Sequence, residues 1–246
     1  MAGREIIFEN SQPYHILTRA VDKKRIFTSD KDCFRFIFQM YAASIGKPAL
    51  NIQWKAVENF VETLFGGQEI KSPLILVENK PLVSTLSFTL VGDHYHFLLV
   101  QNTENGIPRY MQKLNTGFAK YFNAKNERKG VLFESRYKVV PIEDEAQLEA
   151  IIRYINITNP LDVYQPGWRK NGLKNKKAAF DFLNEYKFSS FPDLFGKRGS
   201  LLTASNNILE KFLGTDIIKN RKANFEWIEA YLDGATAPLP SVCLEE

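Results

Sequence analysis

The feature that most constrains this chain is a run of period two with a return partner behind it. From Leu82 to Val91, Leu82, Leu86, Phe88 and Leu90 share one side with Ser84, while Thr85, Ser87 and Thr89 point the other way. Such alternation is what a half-buried strand produces, because successive side chains leave a strand on opposite faces. Gly92-Asp93 is a tight-turn pair, and His94 to Val100 reads as the returning strand. A hairpin is therefore expected at the centre of the chain.

The flanking segments extend this hairpin into a fold. Tyr14 to Arg19, behind Pro13, reads as a first strand. Thr28, Ser29 and Asp30 offer N-caps to a helix whose apolar residues Phe34, Ile37, Phe38, Tyr41 and Ile45 recur at helical spacing up to Gly46. Trp54, Val57, Phe60, Val61 and Leu64 form one helical face inside the less regular stretch 47–81. A long helix opens near Pro108, with Ile107, Met111, Leu114, Phe118, Tyr121 and Phe122 on its apolar stripe and Arg109, Lys113, Lys120 and Lys125 opposite. Leu132 to Ile142 reads as a fourth strand. Glu143-Asp144-Glu145 then places acids at the start of a third helix, where the helix dipole favours them. That helix runs through Leu148, Ile151, Ile152 and Ile155 and is expected to stop before Pro160.

The order strand, helix, strand, strand, helix, strand, helix is that of an α+β, ferredoxin-like antiparallel sheet, expected with its helices on one face. Shorter helical candidates near 175–187, 205–213 and 220–232 suggest a C-terminal, mainly helical extension. The expected division is a domain over 10–160, with an insertion at 47–81, followed by a basic and helical extension over 161–246.

Charge and cysteine usage narrow the function classes. Lys and Arg number 32 against 28 Asp and Glu, a net charge of +4. The cations gather in 109–138 and 169–198, so one face can attract phosphates; a merely solvated surface is the competing account. Cys33 and Cys243 stand far apart and form no CxxC pair, so neither a disulfide scaffold nor a zinc ribbon is indicated. No signal-peptide core or apolar run of membrane-spanning length is present in the sequence. The expectation is a soluble cytoplasmic protein with no membrane partner.

Three groups of residues carry candidate chemistry. Two of the chain's three histidines form His94-Tyr95-His96. On a strand, residues two apart share a face, so both imidazoles can reach one metal ion; a surface pair on a half-exposed strand is the alternative. Tyr154 lies on the third helix, off the apolar strip and four residues before Thr158, where the two share a helix face. A phenol near pKa 10 needs activation to act as a nucleophile, and tyrosines more often simply pack. Arg109–Lys138 interleaves cations with aromatics, the mixture that meets phosphates and stacks on unpaired bases, although most of these aromatics suit a core. Arg136 and Lys138, on a strand beside the proposed site, are the stronger DNA candidates.

In their joint order these pieces resemble the REP-associated tyrosine transposases, members of the HUH endonucleases. The matching text is Tyr14-His15-Ile16-Leu17-Thr18-Arg19 with Arg25-Ile26-Phe27, then His94-Tyr95-His96-Phe97-Leu98-Leu99, Leu132 to Lys138, Arg153-Tyr154-Ile155 and Asn159-Pro160. Tyr186-Lys187-Phe188-Ser189-Ser190-Phe191 resembles an aromatic-serine segment beyond the family's core. The resemblance implies a single-stranded DNA endonuclease and strand transferase. Tyr154 would attack a DNA phosphate and leave a 5′-phosphotyrosine, and His94 and His96 would bind Mg²⁺ or Mn²⁺. The partner would be single-stranded or hairpin DNA, met by a monomer or a homodimer, with Arg19, Lys113, Arg136, Lys138 and Arg153 as DNA contacts.

Three positions depart from the family's pattern. Val91-Gly92-Asp93 stands where Met-Pro-Asn is usual, Glu134-Ser135 where Gln-Gly is usual, and Thr158 where an amide is usual. By the resemblance the third metal ligand would be Asn159, swung in by an early end of the helix, in place of Thr158; otherwise the third ligand is weak. Two alternatives stay open: a domesticated DNA-binding protein without cleavage, and a zinc-type hydrolase, which would need a third strong ligand such as His15.

Overall fold

The computed structural model describes residues 6–47, 54–68, 81–134, 137–204, 208, 210–212, 228–229 and 232. Four strands, β1 (Pro13–Arg19), β2 (Val83–Val91), β3 (His94–Gln101) and β4 (Lys138–Pro141), form one sheet in the order β2-β3-β1-β4. Every neighbouring pair is antiparallel, and this is the expected ferredoxin-like arrangement. The helices are α1 (Asp30–Ser44), α2 (Trp54–Phe65), α3 (Gly106–Lys125), α4 (Glu145–Arg153), α5 (Asn159–Tyr164), α6 (Trp168–Asn171), α7 (Lys176–Glu185) and α8 (Phe191–Leu194). No described helix is long and apolar enough to cross a membrane.

Local chemistry accounts for the helix ends. The expected Ser29 cap makes no side-chain capping bond. Instead the Asp32 carboxylate, one turn inside α1, accepts from the Thr28 backbone N–H at 3.2 Å, Thr28 Oγ1 at 2.7 Å and Ser29 Oγ at 3.0 Å. Lys125 and Tyr121 of α3 reach the other oxygen of the same carboxylate, at 2.6 and 3.0 Å, and so tie the two helices together. Gly46 ends α1 at φ +75°, in the left-handed region where a Cβ is unfavourable. At α4 the Asp144 carboxylate accepts from Gln147 N, while Gln147 Oε1 accepts from Glu143 N, a reciprocal N-terminal cap.

Both faces of the sheet are covered, which corrects the expectation of helices on one face. Tyr14, Ile16, Phe88, Tyr95 and Phe97 bury beneath α1, α2 and α3. Leu86, Leu98 and Val100 face the other way and bury with Leu148, Ile151, Ile155, Leu161, Trp168, Leu183 and Phe191. The chain from α4 to α8 thus lies across the second face. The sheet can accept it because its alternate residues are apolar on both sides, each Leu buried there contributing about 1.5–3 kcal/mol.

Three further expectations are corrected. A register irregularity between Thr85 and Ser87 breaks the alternation of β2, so Leu86 packs on the second face and not with Phe88 and Leu90. The fourth strand is shorter than 132–142: β4 spans only four residues, and Phe133 makes an isolated bridge to Ala20. The third helix does not stop before Pro160. A π-helical turn, Tyr154–Thr158, links α4 to α5, with Asn159 N bonding the Tyr154 carbonyl five residues back. Proline cannot donate into an α-helical ladder and clashes with the carbonyl four residues before it; the wider turn just ahead of Pro160 lets the helix pass through. The candidates at 205–213 and 220–232, much of 47–81, and Arg136 lie wholly or largely outside the described residues.

Candidate active site

Strand register assembles one polar row on the second face of the sheet. His96 of β3 pairs with Leu17 of β1 and Thr89 of β2, and Leu17 pairs in turn with Lys138 of β4. Directly paired residues project from the same side, so Lys138, Leu17, His96 and Thr89 form a line across the sheet. Two residues along β3, His94 pairs with Arg19. The period-two expectation therefore holds: His94 and His96 share a face, their ring centroids 5.0 Å apart.

His15 joins them. It lies diagonally across from His96, with His15 Nε2 and His96 Nδ1 3.0 Å apart and both residues fully buried. His94 is held by the residue before it, its Nδ1 lying 2.5 Å from Asp93 Oδ1. Arg19 stands on the far side of that carboxylate, 3.9 Å from Oδ2. Burial works to raise the Asp93 carboxyl, but the hydrogen bond and charge of His94, together with Arg19, prevail and hold it below its usual range. Burial pushes His96 well below the ordinary imidazole value, reinforced by His94, His15, Arg19 and Arg169. His96 is therefore neutral near pH 7, the form that offers a lone pair.

The helix brings Tyr154 onto this row. Its ring stands edge-on to His96 at 5.2 Å between centroids and to His15 at 6.0 Å. The expected placement off the apolar strip is corrected: Tyr154 is fully buried with Ile151 and Ile155, because the π turn is enclosed between the sheet and the segments that follow it. The turn also moves Asn159. In an α-helix, five residues would rotate it about 140° from Tyr154. Here the backbone bond from Asn159 to the Tyr154 carbonyl brings it back toward the same side. Both amide atoms of Asn159 are buried without a hydrogen-bond partner, and so are His96 Nε2 and Thr89 Oγ1. Arg169 of α6 covers the phenol, its guanidinium 5.8 Å above the ring and ion-paired with Asp162.

Other expected residues divide between those at the site and those away from it. Lys138 and Arg19 share the histidine face by register, and Arg153 precedes Tyr154, ion-paired with Glu149. Lys113 is not brought to the site: α3 buries its apolar side on the opposite face of the sheet. Sequence reading missed Asp93 as a histidine partner and Arg169 as a cover. Asp93 was signalled by its adjacency to His94; Arg169 lies in an irregular stretch with no motif to mark it.

The residues fit a divalent cation. Each motif imidazole has its Nδ1 engaged by a neighbour, the arrangement that leaves Nε2 as the ligating atom. A buried His96 Nε2 and a buried Asn159 amide, both without partners, are donor atoms waiting for one. The three-ligand zinc set is not formed. His15 directs its ring nitrogen at His96, and among the described residues no group of three His, Cys, Asp or Glu side chains is arranged to hold a metal.

The fold and the paired histidines define a ferredoxin-like α+β protein with an HxH site. Residues 67–158 match the family of IS200-like transposases, which bears out the sequence resemblance over the stretch that holds β2, β3 and Tyr154. One solved structure similar to this chain is that of a REP-associated tyrosine transposase bound to a REP hairpin. The two are 11% identical, with a TM-score of 0.47, over 85% of this chain and 93% of that one. A search of curated proteins found no match.

Proposed function

We propose that this protein cuts and rejoins single-stranded DNA through Tyr154. The observation that carries the reading is the convergence of the Tyr154 ring with His96 and His15 on the sheet face that also holds His94. His94, His96 and Asn159 would hold Mg²⁺ or Mn²⁺, with Asn159 favoured over Thr158 because the π turn brings it round. When bound, the cation polarises the scissile phosphate and offsets the charge that builds on it.

The chain's own residues do the rest. His15 orients His96 through its Nδ1, and the Asp93 carboxylate fixes both the orientation and the tautomer of His94 through its Nδ1. Tyr154 Oη forms the bond to phosphorus, the bond to the 3′ oxygen breaks, and the phenol proton ends on the released 3′ hydroxyl. The 5′-phosphotyrosine keeps the energy of the phosphodiester, so another 3′ hydroxyl can reverse the step without a nucleotide cofactor. Arg19, Lys138 and Arg153 flank this point and meet neighbouring phosphates. A phosphate reaches Tyr154 only when the cover over it, which includes Arg169, opens, because in this conformation the phenol is fully buried.

That same burial favours a second reading, DNA binding without cleavage. One experiment separates the two. Labelled single-stranded hairpin DNA is incubated with the protein and Mg²⁺, and products are resolved under denaturing conditions. A covalent adduct present with the natural chain and absent with Tyr154→Phe supports cleavage. Retained binding with no adduct supports the second reading.

A further inference from the structure

The segment Tyr186–Phe191 takes no part in the chemistry above, yet it is joined closely to the site. It lies along the free edge of β2. Leu90 N donates to Phe188 O at 3.0 Å, Ser190 N to Phe88 O at 2.9 Å, and Thr89 bridges Ser189. Tyr186 adds a hydrogen bond from its hydroxyl to Leu90 O at 2.7 Å.

From this edge the Ser190 side chain turns inward and closes a ring of hydrogen bonds. Asn156 Nδ2 donates to Ser87 Oγ at 2.7 Å, Ser87 Oγ and Ser190 Oγ are 2.9 Å apart, and Ser190 Oγ donates to Asn156 Oδ1 at 2.7 Å. One proton arrangement satisfies every step: amide to Ser87, Ser87 to Ser190, Ser190 to amide. The ring is fastened at two further points. Ser190 Oγ accepts from Phe88 N at 2.9 Å on the sheet, and Asn156 Nδ2 donates to Ile152 O at 2.9 Å on the helix. All three side chains are fully buried, where such bonds are strong and each reinforces the next.

Its position distinguishes this ring from an ordinary buried polar contact. Asn156 sits inside the π turn, two residues after Tyr154, and its second amide proton goes to the carbonyl two residues before Tyr154. A π turn interrupts the regular ladder and persists where surrounding contacts hold it. The ring is a polar link between that turn and strand β2.

We propose that Asn156, Ser87 and Ser190 are positioning residues that hold the Tyr154 turn in register with the sheet histidines, and that the Tyr186–Phe191 segment serves to deliver Ser190. The inference rests on Tyr154 being the nucleophile, so its test includes a readout that needs no catalysis. The full chain is prepared with 3-fluorotyrosine at position 154 in the natural background and in Asn156→Ala, with Ser87→Ala as the milder variant should Asn156→Ala fail to fold. The ¹⁹F resonance of the natural chain is expected to be single and narrow, and that of each folded variant shifted or split. Adduct formation at saturating hairpin DNA should slow about 10- to 100-fold, as misorientation of a reacting group does, while affinity for DNA stays unchanged. An unaltered resonance in a folded variant overturns the proposal, as does a rate that falls only in step with DNA affinity. If the natural chain forms no adduct, the nucleophile reading fails and the resonance alone decides whether the ring positions Tyr154.

Discussion

Acid should destabilise this protein through one buried imidazole. His96 is fully enclosed, and burial, backed by His94, His15, Arg19 and Arg169, holds its pKa well below 6.5. In the unfolded chain an imidazole titrates near 6.5. Below that pH the unfolded state binds a proton that the folded state refuses, so stability is full above about pH 6.5 and falls as the pH drops toward the folded value. The slope approaches one proton, or about 1.4 kcal/mol per pH unit. Integrated down to about pH 5, this amounts to at most about 2 kcal/mol, or at most roughly 4–8 °C in Tm for a domain of this size. Thermal denaturation followed by circular dichroism, from about pH 7 to about pH 5, measures it when the natural chain is compared with His96→Gln. The variant should lose less stability across the interval, by up to that amount. Equal pH dependence in the two proteins would refute the picture of a neutral, enclosed His96.

Other outcomes follow from the same coordinates. Asp93→Asn removes the carboxylate that orients His94 and should weaken Mn²⁺ binding about 10- to 100-fold by calorimetry. Lys138→Ala should lower the salt slope of hairpin-DNA binding by about one, whereas Lys113→Ala, across the sheet, should leave it unchanged; filter binding over a salt series tests both. Leu98→Ala hollows the second sheet face and should cost about 2–5 kcal/mol in urea denaturation.

Much of this site was legible in the sequence because it depends on short-range periodicity. Two histidines two apart on a strand had to share a face, and the hairpin followed from alternation together with the Gly92-Asp93 turn pair. What escaped depends on relations between distant segments. His15 meets His96 only through the register of β1 against β3, which no local pattern encodes. The irregularity near Thr85 moved Leu86 to the other face, and a one-residue shift in a strand leaves no compositional mark. Pro160 signalled a helix end by the usual rule, yet the π turn ahead of it carried the helix through and brought Asn159 toward Tyr154. Burial of Tyr154 followed from α4 to α8 crossing the second face, a tertiary outcome that its amphipathic pattern did not fix.

The claim that Tyr154 and the sheet histidines form one reactive site is tested most directly by locating the DNA on the protein. After reaction with hairpin DNA and Mg²⁺, the DNA is trimmed by nuclease, and the trypsin-cut peptide from Tyr154 to Arg169 is fragmented in a mass spectrometer. The account predicts a nucleotide phosphate on Tyr154 and none on Tyr164 of the same peptide, with the modification lost in His96→Gln. A phosphate on any other residue, or a Tyr154 adduct that survives loss of His96, would contradict it.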